Sequence, residues 1–254
     1  MNTNIASKKE LPAYIDFIYG DLYKNSDRCS SLDNTVACGF RTFFQYKKLV
    51  DSLTKEIKMN QSVLQMGITF GNQIDEVAMA IGSYGQYDIM DINPYEIDRA
   101  NEKYWKVYNG MKIFKQDATK IKPASKYDVV ICFMLLSMVP SATKTKIVNN
   151  ALQMAKKGGK VIFIDWHNPL SYHPLRYVTR MYNRLYHPFV EKLWDRDIST
   201  YAEPALRSKF MWHKSTYFGR MFQKLVAVNK SAKQITEKAK KITYNGNTIG
   251  LADF

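Results

Sequence analysis

The sequence lacks the signatures of several protein classes. Its three cysteines, Cys29, Cys38 and Cys132, are odd in number and form no CxxC pair. That argues against a disulfide framework or a structural zinc and suits a reducing compartment. Glycine (12) and proline (8) are sparse among 254 residues, so neither a collagen-like nor a low-complexity chain is encoded. The longest unbroken apolar run covers residues 129–136, far below the ~20 residues of a membrane span. Lys8, Lys9 and Glu10 interrupt the first twenty residues before an apolar core develops, unlike a secretory leader. These absences predict a cytoplasmic protein.

What the chain does have is apolar content and positive charge. Hydrophobic residues make up 46% and charged residues 24%, a globular balance. At 29.5 kDa, folding buries roughly 70–75% of the unfolded surface. The 37 basic and 23 acidic residues leave +14. Residues 1–159 carry 21 basic and 16 acidic side chains, and residues 160–254 carry 16 and 7. The excess therefore sits towards the C-terminus. It points to an anionic partner (a phosphorylated substrate, an anionic membrane surface or nucleic acid) or to solubility alone. No nucleic-acid recognition module is present, which ranks nucleic acid last.

Residues 1–59 read as a helical cap. Tyr14, Ile18 and Leu22 share one helix face, and Phe40, Phe43, Phe44, Leu49, Val50 and Leu53 form a second apolar segment. From residue 60, strands alternate with helices: 62–66, 87–92, 111–114, 128–133 and 160–164 read as strands. Ile74, Val77, Ala78 and Ile81 mark a helix that stops at Gly82, and the helix after 147 ends at Gly158-Gly159. This rhythm predicts an α/β fold with a mostly parallel sheet and helices on both faces. The nearly continuous apolar run at 128–133 fits a central strand. After Asp165 the rhythm breaks: a helical insertion at about 170–208 holds one long helix from Pro174 to Trp194, kinked at Pro188. Two strands, 210–217 and 222–228, bring the count to seven. A lysine-rich tail occupies 229–254.

In such sheets ligands bind at the carboxyl ends of the strands. The first strand ends in Gln65-Met66-Gly67-Ile68-Thr69-Phe70-Gly71, where the glycines permit a tight turn and close approach to a ligand. Asp91 closes the second strand, where a carboxylate can accept from two ribose hydroxyls. Asp117-Ala118 follows the third, placed to border an adenine. Cys132-Phe133-Met134 ends the central strand. Gly67 and Asp91 stand 24 residues apart, near the ~20 of a nucleotide-binding βαβ unit.

The ordered set VLQMGITFG, DIMDINP, QDA, YDVVICFMLLSMV and KKGGKVIFID resembles the successive motifs of class I S-adenosylmethionine-dependent methyltransferases over about residues 60–165. The resemblance implies a Rossmann-like domain over 60–228, binding S-adenosylmethionine through Gln65, Gly67, Thr69, Gly71, Asp91, Ile92, Asp117, Ala118 and Phe133. Two positions depart: the family usually has an acid in place of Gln65 and a glycine in place of Thr69. FIDWHNPLSYHPLRY, PFVEKLWDRDI and FMWHKSTYFGRMFQKLVAV further resemble the rhodoquinone-biosynthesis (RquA-like) branch. That branch implies amino transfer from S-adenosylmethionine to ubiquinone, with manganese.

Asp165 and His167 follow the fifth strand at the rim where an acceptor belongs. Their donor atoms suit manganese, and His167 suits a general base; a capping Asp and a surface His are the plainer alternative. Trp166 and Tyr217 are the predicted aromatic walls for a quinone. His173 and His187 precede prolines and read as turn elements, and His213 as a packed strand residue. Arg176, Arg180 and Arg184 line one helix face beside Leu175, Val178, Tyr182, Leu185 and Phe189. Such a helix suits either the inner face of a membrane or a solvated surface. Three functions follow: amino transfer to a membrane quinone, methyl transfer to another small molecule, or ligand binding without catalysis.

Overall fold

The computed structural model describes residues 12–16, 20, 29, 31–104, 108–124 and 126–230. The expectations for Ile18, Leu22 and residues 231–254 lie outside these. Residues 13–16 are helical, and α1 (Thr35–Arg41) and α2 (Tyr46–Thr54) follow. Asn34 caps α1 by accepting the Ala37 N–H at 2.8 Å. The apolar face of α2, Leu49, Val50 and Leu53, is buried in the core.

The sheet comprises β1 (Ser62–Met66), β2 (Gln86–Asp91), β3 (Met111–Lys115), β4 (Tyr127–Phe133), β5 (Ala155–Trp166), β6 (Phe210–Tyr217) and β7 (Phe222–Asn229). Between them lie α3 (Gln73–Ile81), α4 (Pro94–Tyr104) and α5 (Ser141–Met154). The order is β3-β2-β1-β4-β5-β7-β6, parallel from β3 to β5, with β7 antiparallel to both neighbours. Chain order reverses between β1 and β4, so a crevice opens where their carboxyl ends diverge. On β4, Val129, Val130 and Ile131 are fully buried, as the unbroken apolar run requires of a strand covered on both faces. Each such side chain contributes about 1.5–3 kcal/mol of burial.

Three expectations are corrected. The helix predicted from Pro174 to Trp194 is two, α6 (Arg176–Tyr186) and α7 (Glu191–Asp195). His187 leaves the helical region (φ −139°, ψ 64°) because the following proline ring disfavours it. Strand β5 begins at Ala155 rather than 160; its pairing jumps from Tyr127–Ala155 to Val129–Lys160, so the glycines lie in an irregularity within a strand. Asn229 pairs with Phe210 and belongs to β7, not to a tail. The insertion is completed by a 3-10 turn (Ile198–Tyr201) and α8 (Pro204–Arg207).

Candidate functional site

A cavity of about 200 Å3 occupies the crevice between β1 and β4. Its floor is the β1–α3 turn. Gly67 adopts φ +90°, and a Cβ there would stand 3.3 Å from Leu135, so only glycine lets the backbone pass this close. Ile68, Thr69 and Phe70 continue the wall. Gly71 does not line it. Gly71 has φ +82°, a Cβ there would meet the Tyr46 hydroxyl at 2.5 Å, and its N–H donates to Asp33 Oδ1 at 2.7 Å. Its role is to join the turn to the cap.

Asp91 and Ile92 line the cavity at the end of β2. Asp91 Oδ2 accepts the Ile68 N–H at 2.7 Å and Oδ1 the Asn93 N–H at 2.8 Å. Each oxygen retains acceptor capacity for a hydroxyl. Burial pushes the Asp91 pKa up to about 6, against the pull of those backbone N–H groups. Asp117 and Ala118 form the next stretch of wall. Asp117 Oδ1 accepts from the Thr119 N–H and hydroxyl at 2.8 and 2.7 Å, and Asn150 holds the Ala118 carbonyl at 2.8 Å. Phe133 closes the wall from β4.

Gln65 lies beneath the turn, fully buried and off the cavity wall. Its amide exchanges hydrogen bonds with Gln73 at 2.9 and 3.0 Å, donates to the Gly67 carbonyl at 3.0 Å and accepts from the Tyr87 hydroxyl. Every polar direction of this side chain is used within the protein.

The residues expected to do chemistry at the end of β5 divide by strand alternation. Trp166 faces the cavity, while Asp165 and His167 face away from it. Asp165 Oδ1 accepts the Trp166 N–H at 2.8 Å and Oδ2 the Ser137 N–H at 3.1 Å, and burial pushes its pKa up to about 6. Burial holds the His167 pKa down to about 4, with Lys214 and Arg220 adding to it. Among the described residues, no group of three or more His, Cys, Asp or Glu converges to hold a metal. Tyr217 is also off the wall, its ring 5.9 Å from Lys48 Nζ. His213 is exposed rather than packed.

Several lining residues carried no motif. Tyr14, from the cap, faces Asp117 and Asp91; burial and these carboxylates raise its pKa to about 12. Arg41 lines the cavity and packs 5.5 Å from the Phe70 ring, whose centroid lies 4.8 Å from Arg99. His187 lines it too, 6.2 Å from Trp166 ring to ring, with its pKa lowered to about 4 by burial and then by Arg41. The break that Pro188 forces in the helix is what turns His187 inward.

Residues 63–159 match the family described as methyltransferase domain. The match covers under half of the chain. No curated protein matches the chain. The solved structures it resembles include a SAM dependent methyltransferase from Aquifex aeolicus, at 15% identity over 81% of this chain and 98% of that one, TM-score 0.54. Another is the N-methyltransferase NodS from Bradyrhizobium japonicum WM9 in complex with S-adenosyl-l-homocysteine, at 14% identity over 86% and 99%, TM-score 0.57. A third is an O-methyltransferase family protein from Burkholderia thailandensis, at 10% identity over 89% and 66%, TM-score 0.59. At these identities the likeness is one of fold. The domain match and this fold support a transferase. Trp166 and His187 lie beyond the matched residues, Tyr14 and Arg41 before them.

Proposed function

We propose that this transferase moves an amino group from S-adenosylmethionine to a membrane quinone, converting ubiquinone to rhodoquinone. The observation that carries the reading is at the end of β1. Where the superfamily usually has an acid, neutral Gln65 is locked to Gln73 and Tyr87. A carboxylate there would favour the ligand's amino group as an ammonium, which has no lone pair; without it an uncharged amine is retained more readily, and that is the nucleophile quinone amination needs. The likeness of the C-terminal motifs to the rhodoquinone branch supports the same acceptor.

In this reading Asp91 accepts from the ribose hydroxyls, Ile92, Asp117 and Ala118 border the adenine, and Gly67 and Thr69 meet the amino-acid end. S-adenosylmethionine supplies, when bound, both the amino group and an activated methyl. Trp166, Phe133 and Tyr14 are the aromatic wall for a flat acceptor. The amine nitrogen bonds to the ring carbon as a ring methoxy leaves as methanol. Elimination across the donor's Cα–Cβ bond then breaks its Cα–N bond and leaves the amino group on the quinone. His187, neutral at pH 7, takes up the proton that the attacking amine loses and returns it to the leaving methoxy. Arg41 offsets negative charge that develops on the acceptor oxygen. The basic C-terminal part, with Arg176, Arg180 and Arg184 on α6, supports work beside an anionic membrane.

Methyl transfer to a small molecule is the second reading, favoured by the domain match itself. S-adenosylmethionine carrying nitrogen-15 at its amino group, supplied with ubiquinone, separates the two by mass spectrometry of the quinone product. Labelled nitrogen in the quinone supports amination. A gained methyl without the label overturns it.

A further inference from the structure

Of the thirteen large apolar side chains exposed among the described residues, five lie on α6, while Met59, Met79, Tyr84 and Phe114 stand singly elsewhere. On α6, Tyr177 (78%), Val178 (50%), Met181 (65%), Leu185 (67%) and Tyr186 (58%) are turned to solvent, while Thr179 and Asn183 are buried against the protein. At helical spacing, Tyr177, Val178, Met181 and Leu185 fall within one sector of ~100°, opposite Thr179 and Asn183. This helix wears its apolar stripe outward. Arg180 and Arg184, both exposed, run along one edge of the stripe. Neither has an ion pair among the described residues, and residues 166–190 contain no Asp or Glu.

A second patch adjoins the first. Phe40 and Phe44, at the end of α1, are exposed and pack edge to face at 5.0 Å. Between them Phe43 turns inward and meets Tyr182 of α6 at 6.4 Å and Trp166 at 6.3 Å. Trp166 lines the cavity. An apolar path thus leads from the outer face of α6 and α1 to the site.

We propose that this combined face lies on an anionic lipid bilayer, with α6 in the plane of the interface and the Phe43–Trp166–Tyr182 wall as the entrance for a lipid-borne acceptor. Apolar side chains enter the acyl boundary, tyrosines sit at headgroup level, and Arg180 and Arg184 meet lipid phosphates. A second copy of the chain fits less well, because pairing two such faces opposes arginine to arginine without a carboxylate. The docking stands on the surface alone; the entrance rests on the quinone reading above.

Co-flotation with phosphatidylcholine vesicles, with and without phosphatidylserine, tests the docking. The full chain should float with the phosphatidylserine vesicles and lose binding in high salt. Arg180→Gln with Arg184→Gln should weaken that binding roughly 30-fold, at about 1 kcal/mol per charge. Met181→Ser with Leu185→Ser should weaken it on either vesicle. Both double variants should bind S-adenosylmethionine as the parent does, which shows that they are folded. No flotation of the parent, or parent-like flotation of both variants, overturns the docking. So does a dimer in sedimentation that Met181→Ser with Leu185→Ser dissolves, since that face would then serve a second copy. Intact flotation with no labelled nitrogen in the quinone overturns the amination reading and leaves the docking standing.

Discussion

Asp33 accepts the Gly71 N–H at 2.7 Å and forms ion pairs with Arg99 and with Lys103, the latter at 3.1 Å. One carboxylate from the cap thereby fastens the β1–α3 turn to α4. Its three partners are two cations and a backbone donor, and it is largely buried. Removing it leaves Arg99 with Glu96, the Thr69 carbonyl and the Phe70 ring, and Lys103 with the Gly71 carbonyl.

Asp33→Ala is therefore expected to cost about 1.5–3 kcal/mol of stability, the range for hydrogen bonds to a charged group. Affinity for S-adenosylmethionine should fall with it, since the turn loses its tether. Urea melts and calorimetry measure the two; an unchanged midpoint would show that the turn holds itself.

Asp91→Ala should weaken S-adenosylmethionine binding about 5- to 150-fold, the equivalent of ~1–3 kcal/mol for unpaired ribose hydroxyls. The parent should also lose affinity as pH falls through about 6, because protonation there removes the acceptor that burial has made easier to protonate. Titration calorimetry between pH 5 and 8 reads both effects, and a flat profile in the parent would mean that the ligand does not bond this carboxylate.

His187→Gln should lower turnover by about 10²- to 10⁴-fold, as loss of a proton acceptor at the reacting centre does. Binding of S-adenosylmethionine should be kept. His167→Gln should leave turnover within a few-fold, since that imidazole faces away from the cavity. Equal losses in the two variants would remove His187 from this role.

Asp165 carries the opposite linkage to an ordinary paired carboxylate. Burial holds its folded pKa at about 6, above the ordinary carboxylate value, so its favourable contribution is present below the unfolded value and disappears as pH rises through 6. Between pH 5 and pH 7 this group should remove about 1 kcal/mol from stability. Asp165→Asn should lack that component, and the gap between variant and parent in urea melts should change by this amount over the same range.

The sheet was legible because each strand writes its own pattern: apolar residues 129–133 for a strand covered twice, and Asp91 or Asp117 where a strand ends. The site was legible only where chemistry follows a strand end. Asp165 and His167 were misplaced because adjacent residues of a strand point to opposite faces, and no pattern in Asp165-Trp166-His167 says which face meets the cavity. His187 was read as a turn element because Pro188 follows it; that reading of the backbone holds, but a broken helix also redirects a side chain. Asp33 and Arg41 gave no signal, and Tyr14 only that of a helix face, since their partners stand far away in sequence and share no spacing with them.

The Tyr46 hydroxyl donates to the Phe70 carbonyl and accepts the Gln73 N–H, both at 3.0 Å. One cap residue is thus built into the backbone of the ligand turn, bridging its last peptide to the first turn of α3. Ordering of that turn by a ligand and ordering of α2 then become a single cooperative event. Amide protons of α2, which touch no ligand, should exchange more slowly with deuterium when S-adenosylmethionine is present, and their protection should rise in step with that of residues 67–71.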